Sequence, residues 1–182
     1  MRYLPEFKFQ EGQLLEVGLG CDMGYGPGKS AKLWREYFPK MDIHFVEFDG
    51  ECVKKHSNKF TGINVHVGDQ GDPMLMSRLV NSFDKLKILI DDGSHLTSHN
   101  IATMSMLLPG MEKNGVIFVE DAAEAVYIPN FRDHDDILNF DSSFFGFVKA
   151  LATKLMRSNT SMSTHIFQMI ECQRDICAFL LN

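Results

Sequence analysis

The chain has 182 residues, 45% of them hydrophobic and 23% charged, which fits one domain over residues 1–182 better than two. Its net charge is −6 and its 18 Lys and Arg are scattered rather than gathered into a stripe, which argues against a nucleic-acid partner. No apolar run approaches the roughly 18–20 residues that span a bilayer, and the opening MRYLPEFKFQ lacks the apolar stretch of a secretory leader, so no membrane partner is expected.

Taken in chain order, the elements alternate. Leu14–Val17 is a short apolar run that ends in glycine, a strand. Ser30–Tyr37 has apolar residues near helical spacing and is closed by Pro39. Ile43–Phe48 predicts the second strand, Glu51–Lys59 a polar helix, and Asn64–Val67 the third strand. Pro73–Phe83 reads as a helix with Leu75, Leu79 and Val80 on one face. Lys87–Ile90 is the fourth strand, Leu96–Leu108 a helix stopped by Pro109-Gly110, and Gly115–Val119 the fifth strand. Strands alternating with helices make a parallel sheet covered on both faces, a doubly wound α/β domain. Beyond it, Ala122–Ser143 reads as a surface loop, Ser143–Met156 as a helix and Ser158–Thr164 as a polar turn. Ile166–Ile170 and Ile176–Leu181 follow as strands whose short connection, Glu171–Asp175, forces antiparallel pairing.

Cys21, Cys52, Cys172 and Cys177 form neither a C-x-x-C pair nor a zinc-spaced cluster, so they read as reduced thiols of a cytoplasmic protein. The 15 Phe and 11 Met are high counts, read first as core packing and second as the lining of an apolar substrate pocket.

Four constellations carry chemistry, all at strand tips, where ligands of such sheets bind. The first is Glu16-Val-Gly18-Leu-Gly20, followed by Gly24, Gly26 and Gly28-Lys29-Ser30. A dinucleotide fingerprint fails because its third glycine falls on Met23, and a phosphate loop fails because its first glycine falls there too. An acidic residue followed by G-x-G fits the looser motif of S-adenosylmethionine (SAM) sites. The second is Glu47, with Asp49 on the same side of the strand; either carboxylate there can accept ribose hydroxyls. The third is Asp69-Gln70, where a carboxylate can accept from an adenine amino group. The fourth is Asp91-Asp92-Gly93-Ser94-His95, facing Glu120-Asp121 from the neighbouring strand tip. Asp92, Glu120 and Asp121 would repel one another when dry, and a hard divalent cation, Mg²⁺ or Ca²⁺, relieves that. His95 is placed to take a proton from a substrate hydroxyl. The plainer reading of this last segment is a turn whose Ser94 caps the next helix. His99, one turn after His95, is read as a pocket residue or a structural one.

Together, LEVGLG, GKSAKLWREYFP, VGDQGD, IDDGSHLTSH and GVIFVEDA resemble the metal-dependent O-methyltransferases of macrolide sugars and related natural products, close to the cephalosporin hydroxylase-like proteins. The resemblance implies a class I methyltransferase fold, a Rossmann-like doubly wound sheet of about seven strands with the last antiparallel. It implies SAM contacts at Gly18, Gly20, Ser30, Glu47, Asp69, Gln70 and Asp91, metal ligands Asp92, Glu120 and Asp121, and His95 as general base. It further implies O-methylation of a small-molecule hydroxyl in secondary metabolism. The family tends to carry a histidine shortly after the Glu-Asp pair, where this chain has Ala122-Ala123, and helices before the first strand, where little chain precedes Leu14. The acceptor and the covering of the site are therefore open, as is pairing into a homo-oligomer. The alternatives are a SAM-binding protein with another reaction or none, a nicotinamide oxidoreductase, and a nucleotide-phosphate binder.

Overall fold

The computed structural model describes residues 2–122, 144–157 and 166–182. The strands are β1 (Gly12–Val17), β2 (Met41–Glu47), β3 (Asn64–Val67), β4 (Leu86–Asp91), β5 (Met111–Glu120), β6 (Phe167–Cys172) and β7 (Ile176–Leu181). The helices are α1 (Lys29–Tyr37), α2 (Gly50–Lys55), α3 (Pro73–Ser82), α4 (Thr97–Leu107) and α5 (Phe144–Arg157). The strands form one sheet in the order β3-β2-β1-β4-β5-β7-β6, parallel except for β7, which runs against both β5 and β6. This is the expected architecture.

The middle strands read as unbroken apolar runs because both of their faces are covered. Leu14 and Leu15 point to opposite sides, and both are fully buried. On one side Leu15, Leu89, Ile117 and Phe179 pack with Met76 and Leu79 of α3, Met104 and Leu107 of α4, and Phe144 of α5. On the other, Leu14, Ile43, Phe45, Ile88 and Val116 pack with Ala31 of α1, Phe38, Phe60 and the N-terminal 3₁₀ turn Leu4–Phe7. Each such side chain contributes about 1.5–3 kcal/mol by leaving water.

Two expectations need correction. The polar helix foreseen over Glu51–Lys59 is divided: α2 ends at Lys55 and a 3₁₀ turn follows over Ser57–Phe60. No side chain of α2 is buried, whereas Phe60 is, so the apolar anchor of this segment lies in the turn. The cysteines are paired rather than free, as Cys21–Cys52 and Cys172–Cys177. Cys21 follows β1 and Cys52 opens α2 after β2, so parallel neighbours bring together residues 31 apart in sequence. Cys172 and Cys177 are register partners across the β6–β7 hairpin. Paired cysteines do not call for a reducing compartment. Among the described residues, no helix is long and apolar enough to cross a membrane. The surface loop expected between β5 and α5, with the substrate segment Tyr127–Asp136, and the polar turn Ser158–Thr164 lie outside the described residues.

Candidate active site

The strand order reverses between β1 and β4, and at that switch point the carboxyl-end loops diverge to leave a crevice. A cleft of about 590 Å³ occupies it, lined by the segments after β1, β2, β3 and β4. Its size suits a nucleoside-bearing ligand.

The segment after β1 can follow this wall only because Gly18 has no side chain. Its φ is +97°, and a Cβ there would stand 2.1 Å from the Asp92 carbonyl oxygen. Glu16, just before it, is buried, and takes hydrogen bonds from Ser30 Oγ at 2.6 Å and from Trp34 Nε1. Burial pushes its carboxyl up to about 8 against those two donors, and the nearby Asp92 and Glu120 add to the rise. Ser30 is thus engaged with a carboxylate, which leaves the nucleotide-phosphate reading of Gly28-Lys29-Ser30 without its metal-binding hydroxyl.

At the tip of β2, Glu47 accepts from the backbone N–H of Leu19 at 3.0 Å and of Asp49 at 2.9 Å. These bonds fix the carboxylate in the cleft wall and tie the β1 and β2 loops together. Asp49 itself caps α2, accepting from Cys52 N–H at 2.9 Å, and both carboxylates line the cleft. After β3, Asp69 accepts from Gly71 N–H and lines the cleft. Gln70 is buried and organises the floor. Its Nε2 donates to Asp91 Oδ1 and Thr103 Oγ1, and its Oε1 accepts from Ser94 N–H at 2.7 Å. Asp91 is fully buried and stands behind the lining residues, where it holds Gln70 in place.

At the β4–β5 end, single ligand atoms of Asp92, His95 and Asp121 lie within 4.8 Å of one another. His95 Nε2 is 3.9 Å from Asp121 Oδ2. Burial, then Glu120 and Asp121, push the Asp92 carboxyl up to about 7. Burial and Asp121 raise Glu120 as well. Crowded carboxylates that oppose one another's ionisation in this way fit a divalent cation. Of the three ligands expected from sequence, the structure brings Asp92 and Asp121 into the set and adds His95, while Glu120 is not part of it. His95 and Asp121 both hold positive φ, 57° and 48°, a strain that concentrates at functional sites.

Sequence reasoning missed two features. Ser94 does not cap α4; its hydroxyl pairs with His99 Nδ1 at 2.9 Å, and both residues line the cleft. Lys29 and Tyr25 also line it, and no role is assigned to either from sequence. The five-residue spacing of Ser94 and His99 has no periodic signal, because a turn and not a helix separates them.

No family model matches the chain. It is 30% identical over 158 residues to demethylmacrocin O-methyltransferase of Streptomyces fradiae, covering 85% of this chain and 38% of that protein. It is 28% identical over 154 residues to mycinamicin VI 2''-O-methyltransferase of Micromonospora griseorubida, covering 82% of this chain and 37% of that one. The chain thus spans well under half the length of these curated relatives. Among solved structures, the MycE methyltransferase of mycinamycin biosynthesis in complex with Mg and SAH superposes with a TM-score of 0.81 at 22% identity, over 100% of this chain and 48% of that one. The Methanococcus jannaschii fibrillarin pre-rRNA processing protein superposes with a TM-score of 0.60 at 12% identity, over 96% of this chain and 67% of that one. At these identities the structural likeness establishes the fold.

Proposed function

We propose that this chain, which has the class I methyltransferase fold and O-methyltransferases as its relatives in sequence, is a SAM-dependent O-methyltransferase domain that uses a hard divalent cation, Mg²⁺ first, to methylate a hydroxyl of a small, sugar-like or natural-product molecule. The observation that carries this reading is one cleft with a SAM-type acidic and glycine wall at β1–β2 and a metal-type cluster at β4–β5.

Gly18 and Gly20 let the backbone approach the cofactor, Glu47 accepts from its ribose hydroxyls, and Asp69 faces the adenine end. Gln70 shapes the floor with Asp91 behind it, while Glu16, held by Ser30, faces the tail. Asp92 and Asp121 would hold the cation, with Glu120 beside them. SAM would supply an electrophilic methyl group and leave as S-adenosylhomocysteine, and the cation would supply Lewis acidity toward the acceptor hydroxyl. His95, against Asp121, takes the hydroxyl proton on its imidazole as the oxygen attacks. The cleft walls hold the two reactants in line.

The test is isothermal titration of SAM with Mg²⁺ present and again with EDTA, followed by turnover on candidate sugar acceptors. Binding in both conditions with turnover only in Mg²⁺ supports the proposal. Turnover indifferent to EDTA discards the cation and keeps the methyltransferase. Absence of SAM binding in both conditions overturns the reading.

A further inference from the structure

The cleft is walled by carboxylates: Glu16, Asp22, Glu47, Asp49, Asp69 and Asp92. Among the described residues that line it, Lys29 is the one Lys or Arg. In so acidic a wall a lysine would ordinarily be neutralised by its neighbours. Instead, among the described residues, it forms no ion pair with any of them. Its ammonium lies over the ring of Tyr25, another lining residue, 3.8 Å from the centroid. A cation parked on an aromatic face is held in place while its charge remains available.

We propose that Lys29 anchors the carboxylate of the cofactor's amino-acid tail. The inference rests on the reading of the cleft as a SAM site and adds a part that reading does not assign. SAM carries a nucleoside, a sulfonium, an ammonium and one anionic group, the α-carboxylate. The acidic wall suits the hydroxyls and the cationic groups; Lys29, the one Lys or Arg among the described lining residues, suits the anion. The strand order places it correctly. A nucleoside lying over the tips of β3 and β2, at Asp69 and Glu47, directs its tail toward β1 and the first turn of α1, where Lys29 stands. The metal cluster at β4–β5 lies beyond, toward the acceptor. Ser30, the next residue, is fixed to Glu16 at 2.6 Å, so the turn that carries Lys29 is anchored before any ligand arrives.

The experiment titrates two compounds into the wild-type chain, Lys29→Met and Lys29→Arg. One is S-adenosylhomocysteine; the other is its decarboxylated analogue, S-adenosyl-3-thiopropylamine, which keeps the nucleoside and the amine. Lys29 is exposed and carries no core contact, so both variants are expected to fold. Lys29→Met is expected to weaken S-adenosylhomocysteine about fivefold or more, as for loss of a charge-assisted contact at a solvated rim. It leaves the analogue unchanged, and Lys29→Arg retains most of the affinity for S-adenosylhomocysteine. Unchanged S-adenosylhomocysteine binding in Lys29→Met, or equal weakening of both compounds, overturns the assignment while leaving the cofactor site standing. A wild-type chain that binds neither compound overturns the cofactor reading and this inference with it.

Discussion

His95 stands at the junction of two parts, proton acceptor and potential metal ligand, and a single substitution separates them. Its ring reaches Asp121 and belongs to the same cluster as Asp92. His95→Ala is expected to abolish turnover and leave SAM affinity nearly intact. If the residue is the base alone, Mg²⁺ affinity measured by titration also survives. A fall in Mg²⁺ affinity makes it a ligand, and loss of SAM binding contradicts both parts. The residue types needed at each strand tip were legible in sequence, since acids and glycines after apolar runs have few other reasons to recur. Which acid faces the cleft was not. Asp91 and Asp92 are adjacent and chemically alike, yet strand alternation buries the first and exposes the second to the site. Gly18 was legible as a glycine of a loop, but the 2.1 Å approach to Asp92 belongs to the pairing of β1 with β4 and exists only in three dimensions.

At the scale of elements, the outer pair β2–β3 carries an arrangement unconnected with the cleft chemistry. His44 and His66 lie diagonally across the two strands, opposite Asn64 and Val46 respectively, and are stacked with ring centroids 5.3 Å apart and joined by an Nδ1···Nε2 contact of 3.0 Å. His44 also sits edge-on to Phe83 at 5.0 Å. Burial and His66 push His44 down to about 4 against the opposing pull of Asp42, and burial lowers His66. Burial thus favours the neutral form of both rings in the folded state, where their contact needs one unprotonated nitrogen. The unfolded chain takes up protons that the folded chain refuses, so stability falls as pH drops from about 6.5 to about 4. Urea midpoints measured across that window are expected to decline, and His44→Phe, which keeps the packing on Phe83, is expected to make the decline shallower. An identical slope in the variant removes the pair as its cause. The elements themselves were the most legible part of the chain, because unbroken apolar runs between helical segments have one good solution. The exception was the segment after β2, where a polar run predicted one helix and the buried Phe60 imposed a second, tighter turn.

For the whole molecule, the pairing of all four cysteines changes what stability depends on. Cys21–Cys52 spans 31 residues and links the segment after β1, which lines the cleft, to the start of α2. In the chain-entropy account such a link stabilises by about 3–4 kcal/mol. Urea unfolding with and without dithiothreitol is expected to differ by more than that amount, because the reductant opens Cys172–Cys177 as well, and alkylation of the denatured, unreduced chain is expected to leave all four cysteines unlabelled. Labelling without reduction would return them to free thiols. Spacing along the sequence could not reveal either pair, since one depends on adjacent parallel strands and the other on hairpin register. The architecture was legible for the opposite reason: alternating strands and helices leave few right-handed windings.

The place of β7 has a consequence during synthesis. It follows every other described strand in sequence, yet it lies inside the sheet, joined to β5 on one side and β6 on the other. As the chain leaves the ribosome, the first five strands can assemble in order, but β5 then waits with an apolar, unpaired edge, and β6 emerges with nothing to join. Appearance of Ile176–Leu181 satisfies both strands at once. Until then the nascent protein exposes the kind of open edge that invites association between chains, so its hazard lasts until Ile176–Leu181 has emerged.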